Sequence, residues 1–375
     1  MFRSFVWGGF EGASHRRADG VRVDSIAGSG HEGRARLHHA MLRSLGIETI
    51  RESLRWHLIE TGTGRYDWSS ARRQLDAARA AGLSVAWGLC HWGVPDQHDV
   101  MAPSWPSRLA AFAFAAAEWL RTEGADISAW VPINEMAFWA WAGGETGGFA
   151  PHRHGAGDRL KEQLVRGHLA AVAGLREAGA RHPIMVCEPL ISVVPADDGA
   201  SALAEAASMM EASFAAVRQI RDVNPAAIDV LGLNFYPHNQ WRTDGVRVLP
   251  GDPGYRPLRE LLAATAHRFP GLPLAISETG MEEPGGVEWL ARISAEVEAT
   301  LAAGVRVVGV CIYPVADYPG WDDGRHCRCG PIGHRQGMRF VRAGHGAVIA
   351  QLAAAGKVAG MLHDGQGQAT ALQRK

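Results

Sequence analysis

The chain has 375 residues, 47% of them hydrophobic and 21% charged, a composition that favours an ordinary globular core and excludes extensive disorder. The formal net charge is −1, from 38 Lys and Arg against 39 Asp and Glu, so overall charge gives no reason to expect a nucleic acid or an anionic membrane as partner. No apolar run approaches the roughly 18 residues that suggest a membrane span.

The cysteines indicate a reducing compartment. There are five, an odd number, and Cys90, Cys187 and Cys311 lie inside apolar runs. Buried thiols explain this pattern better than a disulfide framework does. The segment from Met1 to Gly8 also lacks the long apolar stretch and the cleavage site of a secretory signal. We therefore expect a cytoplasmic protein.

An amphipathic stretch, a glycine and a short apolar run recur along the chain, which predicts alternating helices and strands. A glycine after a helix adopts the left-handed cap conformation at little steric cost, and the chain can then turn into a strand. The apolar runs predict eight strands, at about 4–8, 47–51, 83–90, 128–134, 183–188, 228–234, 272–278 and 305–313.

Helical patterns fill most of the gaps between these strands, at 34–45, 106–123, 158–178, 201–222, 286–303 and 338–355. The gap 255–269 is shorter, and 9–33 is rich in glycine and shows no clear helix. In 34–45 the four-residue spacing of Leu37, Met41 and Leu45 predicts one apolar stripe. The basic residues and the two His between Arg34 and Arg43 are predicted to form a solvated face of the same helix.

This arrangement predicts the α/β fold class, as a single (β/α)8 TIM barrel over residues 1–358 with a loose C-terminal tail at 359–375. A doubly wound open sheet is the structural alternative. That fold is expected to carry a Gly-rich phosphate loop after its first strand, and the segment from Trp7 to Gly12 lacks the required spacing.

Polar residues follow nearly every predicted strand, where the reactive groups of such barrels collect. Glu135 directly follows the fourth strand, and Glu278 ends the seventh. Glycoside cleavage needs one carboxyl group to protonate the leaving oxygen and a second to attack or to activate water. The other strand ends carry Trp7 or Glu11, Arg51, His91 and Trp92, Asn134, Glu188, Asn234 to Tyr236, and Tyr313 to Trp321.

Six segments, in the same order along the chain, resemble glycoside hydrolase family 1 and the wider clan of retaining barrel hydrolases. They are Ile50-Arg51-Glu52-Ser53-Leu54-Arg55-Trp56, Leu89-Cys90-His91-Trp92-Gly93-Val94-Pro95, Asn134-Glu135, Gly147-Gly148-Phe149-Ala150-Pro151, Leu233-Asn234-Phe235-Tyr236 and Ile276-Ser277-Glu278-Thr279-Gly280.

The resemblance implies a retaining hydrolase with Glu135 as acid/base and Glu278 as nucleophile. It implies that Arg51 and Tyr236 hold Glu278 ionised and oriented, and that Asn134 binds the 2-hydroxyl of the sugar. His91 would contact a sugar hydroxyl. The remaining predicted substrate-binding residues are Trp92, Asn234, Trp321, Glu11, His15 and Asp322. No cofactor and no metal is expected, and the partner is a carbohydrate or glycoside substrate.

The departures from the family indicate a rebuilt pocket for the non-reducing sugar. Met136 stands where the family has Pro after Asn-Glu, and His15 falls where it carries a sugar-binding Gln. Tyr313 replaces the usual Trp after the eighth strand, and Gly320 replaces a glycone-binding Glu, although Trp321 is kept. These changes put the usual β-glucoside preference in doubt.

Two other functions are compatible with the sequence. A transglycosylase would use the same two glutamates and exclude water, and a non-catalytic barrel would bind sugar without cleaving it. The segment from Asp322 to Cys329 contains His326, Cys327 and Cys329, but no second ligand pair follows at zinc-finger spacing. A polar loop at the barrel mouth is the better interpretation of that segment.

Overall fold

The structure is a computed structural model that describes residues 2–321, 323–335 and 337–372, with Arg335 and 359–372 described by their backbone only. Eight strands lie within a few residues of their predicted positions. They are β1 (Val6–Gly9), β2 (Thr49–Ser53), β3 (Ser84–Cys90), β4 (Ile127–Ile133), β5 (Met185–Pro189), β6 (Val230–Asn234), β7 (Leu274–Thr279) and β8 (Val307–Ile312).

The eight strands form one parallel sheet in the order β4-β3-β2-β1-β8-β7-β6-β5. Two parallel bridges, Trp130 with Ile184 and Asn134 with Cys187, join β4 to β5 and close the sheet on itself. A closed parallel sheet removes both exposed edges, and every strand ends on the same side. The predicted (β/α)8 TIM barrel is confirmed.

The main helices cover the outside of the barrel. They are α1 (His31–Ser44), α2 (Ser69–Ala81), α3 (Trp105–Thr122), α4 (Gly157–Glu177), α5 (Ala215–Val223), α6 (Leu258–Arg268), α7 (Gly286–Ala302) and α8 (His345–Leu372). A further helix is Ala200–Ser213, and shorter helical segments are Ser25–Gly28, Trp56–Ile59, Met136–Trp139, Ala140–Glu145 and Pro225–Ala227. Short strand pairs lie in the loops, at Glu60–Gly62 with Arg65–Tyr66, Ser192–Val194 with Gln240–Arg242, Tyr318–Pro319 with His326–Cys327, and Ile332–Arg335 with Met338–Val341.

The apolar residues form two clusters. The larger cluster lies between the helices and the sheet and includes the strand residues that face the helices. The smaller cluster contains residues at or beside every strand except β2. The smaller cluster consists of Trp7, Ala86, Ala129, Val131, Met185, Cys187, Val230, Ala275, Cys311 and Tyr313. On β2 the buried Ile50 belongs to the larger cluster, so the alternation of side chains along a strand turns Arg51 toward the barrel interior. A charged side chain therefore stands in the barrel beside apolar ones.

Several local predictions were wrong. The segment 9–33 contains the short helix Ser25–Gly28, and 201–222 is two helices that meet at Phe214. Part of 338–355 is the strand Met338–Val341, so the helix begins only at His345. On α1 the predicted apolar stripe is displaced, because Leu37 is 46% exposed whereas His38 and His39 are buried. The two His therefore face the core, whereas the Arg residues of this stretch are exposed as predicted.

The backbone of α8 continues to Leu372, through most of the segment 359–375 that the sequence predicts as a tail. That this segment stands apart from the barrel stays a prediction. All five cysteines are buried and none forms a disulfide, in agreement with the prediction of buried thiols. Among the described residues, no helix combines the length and the hydrophobicity that crossing a membrane requires.

Candidate active site

Glu135 and Glu278 lie at the same end of the barrel, where β4 and β7 finish. The backbone N–H of Glu135 donates to the Cys187 carbonyl at 2.9 Å, and the Glu278 carbonyl accepts from the Phe235 N–H at 2.9 Å. Glu135 has a φ of 44°, a left-handed conformation that few residues other than glycine adopt. Such backbone strain is typical of functional sites, and both carboxyl side chains are buried.

The Glu278 carboxylate is held by a cation and a hydroxyl group. Arg51 Nη1 donates to Oε1 at 2.6 Å and also to the Ser277 carbonyl at 3.2 Å. Tyr236 donates its hydroxyl to Oε2 at 2.9 Å. Burial and the nearby Glu278 charge raise the pKa of Tyr236 well above 10, so the phenol keeps its proton and acts as a donor. Both oxygens of Glu278 are thereby fixed in direction.

We expect Tyr236→Phe to lower kcat/KM about 10- to 100-fold, because a hydrogen bond to a charged group contributes about 1.5–3 kcal/mol. The substitution removes one hydroxyl and leaves the ring, so the fold should be retained. The check is a comparison of kcat/KM on an aryl glycoside with the thermal midpoint of the same variant. A variant that is as active as the wild type would show that this contact does not assist the reaction.

Glu135 lies in a different electrostatic setting. Asn234 Nδ2 donates to its Oε1 at 2.8 Å, and Asn234 Oδ1 accepts from Ser277 Oγ at 2.6 Å. Burial, followed by the charge of Glu278, raises the pKa of Glu135 well above 4.5. This shift favours the protonated form of Glu135, whereas Glu278 is paired with Arg51. Two carboxyl groups in such opposite environments are suited to acid and nucleophile roles.

Asn134 and His91 extend the hydrogen-bond chain from Arg51. Arg51 Nη2 donates to Asn134 Oδ1 at 2.5 Å, and Asn134 Nδ2 lies 3.0 Å from His91 Nε2. Burial and the Arg51 charge lower the pKa of His91 well below 6.5, so the ring is neutral and Nε2 accepts the bond from the amide. His91 Nδ1 is buried without a protein partner.

Glu11 is a third buried carboxyl group at this end of the barrel. Its Oε1 lies 3.7 Å from His91 Nε2 and 3.5 Å from the Tyr313 hydroxyl, and it accepts from the Ala13 N–H at 2.9 Å. Burial and the charge of Glu278 raise the pKa of Glu11 to about 8. Near neutral pH this raised pKa favours the protonated carboxyl group, which can donate a hydrogen bond to an acceptor in the site.

The remaining predicted binding residues form an aromatic group next to these acids. The His15 ring stacks on Phe149 with centroids 3.6 Å apart, and both ring nitrogens are buried without a protein partner. Trp92 and Trp321 meet edge to face at 5.1 Å. Burial lowers the pKa of His15 to about 3, so this ring is neutral.

Trp92 and Trp321 differ in their access to a substrate. Trp92 is 1% exposed, donates its Nε1–H to the Asn134 carbonyl at 2.9 Å and packs edge to face on the His91 ring, so it supports the site rather than facing an open space. Trp321 is half-buried. Asp322, also predicted as a binding residue, lies outside the described residues.

Three polar contacts of the site were not assigned from the sequence. The Tyr313 hydroxyl accepts a hydrogen bond from the Gly12 N–H at 3.0 Å, and the Arg51 guanidinium lies 5.4 Å from the centre of the Tyr313 ring. The sequence analysis identified Tyr313 only as a replacement for the usual Trp. Ser277 sits beside the nucleophile candidate and holds Asn234. Glu188, which the sequence analysis left outside the catalytic set, accepts from the Ala137 N–H at 2.9 Å. The position of Glu188 at the end of a predicted strand was the sequence signal that could have identified it as a site residue.

The loop with His326, Cys327 and Cys329 does not form a group of metal ligands in the described part of the chain. His326 Nε2 lies 3.3 Å from Asp317, whereas both cysteines are buried. The described residues include one set of His and Glu side chains with metal-ligand spacing, on the far side of β2 from Glu278.

No protein-family model matches this chain, and no curated protein matches it in sequence. Solved structures match its fold over most of their length. The AHE enzyme from Alicyclobacillus herbarius has a TM-score of 0.75 at 20% identity, covering 95% of this chain and 99% of that chain. A family 1 β-glucosidase from Thermotoga maritima has a TM-score of 0.74 at 16% identity, covering 92% and 96%. A rice β-glucosidase in a covalent complex with Glc has a TM-score of 0.74 at 16% identity, covering 94% and 98%. At these identities the similarity establishes the barrel fold.

Proposed function

We propose that this protein is a glycosidase, a divergent relative of glycoside hydrolase family 1 that cleaves a β-linked glycoside with retention of configuration. The observation that carries the proposal is the pair of buried carboxyl groups in opposite settings. Glu278 is in an ion pair with Arg51, and Glu135 has its pKa raised well above 4.5 by burial and by the charge of Glu278. Retaining hydrolysis requires one ionised and one protonated carboxyl group on the two sides of one glycosidic bond.

In the first step, Glu278 attacks the anomeric carbon while Glu135 gives its proton to the leaving oxygen. The bond from the anomeric carbon to the aglycone oxygen breaks, and an ester bond to Glu278 forms. Arg51 and Tyr236 hold the attacking carboxylate in one orientation through the 2.6 Å and 2.9 Å contacts. We expect the two carboxyl groups to be roughly 5–5.5 Å apart, as double displacement requires.

In the second step, Glu135, now ionised, removes a proton from a water molecule that attacks the same carbon. The ester to Glu278 breaks, the sugar leaves with its original configuration, and both carboxyl groups return to their starting states. Asn134 would bind the 2-hydroxyl and strengthen that bond toward the transition state. Its position between Arg51 and His91 fixes the amide for this purpose. No cofactor takes part in either step.

The names of the similar solved structures support the glycosidase class. Those from Thermotoga maritima and rice are named β-glucosidases, and the rice enzyme holds Glc covalently. The preferred sugar need not be glucose, because His15, Tyr313 and Gly320 stand at positions where the sequence departs from the family pattern. Since all five cysteines are unpaired, we propose the reducing environment of the cytoplasm as its location.

We expect a bell-shaped dependence of kcat/KM on pH whose alkaline limb lies well above pH 4.5. Glu135 must be protonated to act as the acid, so activity is lost as the pH rises through its raised pKa. Measuring kcat/KM across pH with an aryl glycoside tests this. In Glu135→Ala, assayed with an activated leaving group, the limb due to Glu135 should disappear.

Glu11→Gln is the matched control for this profile, because the pKa of Glu11 is itself raised to about 8. We expect the alkaline limb to persist in this variant, at a lower overall rate. A limb that disappears with Glu11→Gln and persists in Glu135→Ala would contradict the role assigned to Glu135.

The direct assay is a panel of aryl β-glycosides with different sugars, run with the wild type and with Glu135→Ala. The expected result is hydrolysis by the wild type and, in Glu135→Ala, a loss of hydrolysis that is greatest for glycosides with poor leaving groups. Added alcohol or sugar acceptors separate hydrolysis from transglycosylation, because a transglycosylase gives mainly the acceptor product. Sugar binding without turnover of any glycoside would instead identify a non-catalytic binding barrel.

A further inference from the structure

A buried group of polar side chains lies on the outer side of β2, away from the proposed reaction. His31, His38 and His39 are on the core-facing side of α1, Glu52 is on β2, and all four are 0% exposed. Successive strand residues point to opposite faces, so Glu52 faces α1 whereas Arg51 faces the barrel interior. With Gln74 of α2, these residues are called the His–Glu cluster below.

Two ring nitrogens of the cluster converge on one carboxylate oxygen. His31 Nε2 lies 2.8 Å and His39 Nε2 lies 2.7 Å from Glu52 Oε1. One ligand atom from each of these three residues lies within 4.8 Å of the other two. Three nitrogen and oxygen donors from two different elements thus point at one small volume.

The side chains around these three are arranged as metal sites arrange their outer partners. His31 Nδ1 lies 2.9 Å from His38 Nδ1, and Gln74 Nε2 donates to Glu52 Oε2 at 2.6 Å. A His that binds a metal usually donates its other ring N–H to a neighbouring group, which fixes the orientation of the ring. Phe10 stacks on His31 at 3.6 Å and holds the ring from one face.

The charge balance of the cluster is incomplete. Among the described residues, the basic side chains within ion-pair distance of Glu52 are His31 and His39. Both are imidazole rings, which carry a charge only when protonated, and no Lys or Arg side chain of the described residues lies within that distance of Glu52. A fully buried carboxylate needs a cation, either a charged side chain or a metal ion.

We propose that His31, His39 and Glu52 bind a divalent transition-metal ion, zinc by preference, as a structural site. Zinc takes imidazole nitrogen and carboxylate oxygen at about 2.0–2.2 Å in a tetrahedral arrangement, so these three side chains would supply three of its four ligands and a water molecule the fourth. Zinc also binds such donors more tightly than manganese or iron(II) does. His38 and Gln74 would orient His31 and Glu52 without touching the ion.

The ion would join α1 to β2 directly behind Arg51, the residue paired with Glu278. Metal binding to a site that exists only in the folded chain stabilises the fold. The inference does not depend on the glycosidase proposal, because its readouts are metal content and stability.

The first test uses the full-length wild-type chain without a polyhistidine tag. We expect about one zinc per chain by elemental analysis after dialysis against zinc, as for a structural site. Chelation should lower the thermal midpoint, and added zinc should restore it. Replacing zinc with cobalt(II) should give the visible absorption of a low-coordinate imidazole site. A wild type that takes up no zinc and whose midpoint does not respond to zinc overturns the proposal.

The second test uses three variants. Glu52→Gln keeps the size of the side chain and removes the anionic ligand, so we expect loss of zinc and of the zinc-dependent midpoint. His38→Gln should weaken zinc binding about 10- to 100-fold, as loss of an outer partner does. His168→Gln is the control, because His168 is equally buried but bonds the Ala227 carbonyl. Zinc uptake that is equal in Glu52→Gln and the wild type places the ion elsewhere and overturns the assignment. If Glu52→Gln fails to fold, the wild-type measurements and His38→Gln decide.

Discussion

Glu278→Ala is expected to lose about 10⁴-fold or more of kcat on every glycoside that the wild type cleaves, in line with removal of other enzymatic nucleophiles. Without this carboxylate no covalent intermediate forms, and Arg51 and Tyr236 have no group to orient. The loss should be independent of the leaving group, because the missing atom is the one that attacks.

The same variant offers a positive test. Alanine leaves space where the carboxylate stood, so a small anion such as azide can attack the anomeric carbon from that side. Rescue by azide should give an α-glycosyl azide, since one displacement inverts a β-glycoside. Rescue that yields the β-azide would assign Glu278 to the other face of the sugar, and full activity without azide would remove it from the mechanism.

Glu60→Gln is a matched control for both glutamates. Glu60 is buried and accepts a hydrogen bond from Trp56 Nε1 at 2.7 Å, among residues that make no contact with Glu278 or Glu135. We expect this variant to lose stability and to keep its kcat. If Glu60→Gln lost as much kcat as Glu278→Ala, the loss in Glu278→Ala would reflect a general need for buried carboxyl groups in folding and not a catalytic role.

Glu135→Ala is expected to produce a loss that depends on the leaving group. For poor leaving groups the first step needs a proton, and general acid catalysis contributes about 10²- to 10⁴-fold. For an activated aryl group the first step proceeds without the proton, so the second step becomes limiting and KM falls as the intermediate accumulates. The measurement is a series of aryl glycosides graded by leaving-group pKa.

The configuration of the glycosyl azide product distinguishes the roles of the two glutamates. In Glu135→Ala it should attack the glycosyl ester on Glu278 and give the β-glycosyl azide, because two displacements restore the configuration. A uniform loss across all leaving groups, with no response to azide, would contradict an acid/base role for Glu135.

The barrel could be predicted because its signals are local. Each strand is a short apolar run preceded by a glycine or a turn, and the parallel arrangement follows from the alternating pattern. The hairpin at Ile332–Arg335 and Met338–Val341 has no such signal. Its strands have only four residues each, and neither contains an apolar run or an alternation long enough to distinguish it from a loop.

The convergence of polar strand ends could also be predicted, since all parallel strands of a barrel finish at one mouth. The particular contacts could not. That Ser277 holds Asn234, or that Tyr313 meets Glu11, depends on side-chain directions across strands that are far apart in sequence. The His–Glu cluster was missed for a related reason. His38 and His39 read as part of a basic helix face, and only the packing of α1 on β2 turns them toward Glu52.

The most direct test of the mechanism is to identify where the sugar becomes attached. The wild type is inactivated with a 2-deoxy-2-fluoro derivative of its best aryl glycoside, which slows release of the intermediate, and is then digested and analysed by mass spectrometry. We predict one glycosyl ester per chain, on the peptide that contains Glu278, released when an acceptor is added. Attachment to any other residue, or turnover that yields the inverted sugar and no adduct, would contradict the double displacement by Glu278 and Glu135.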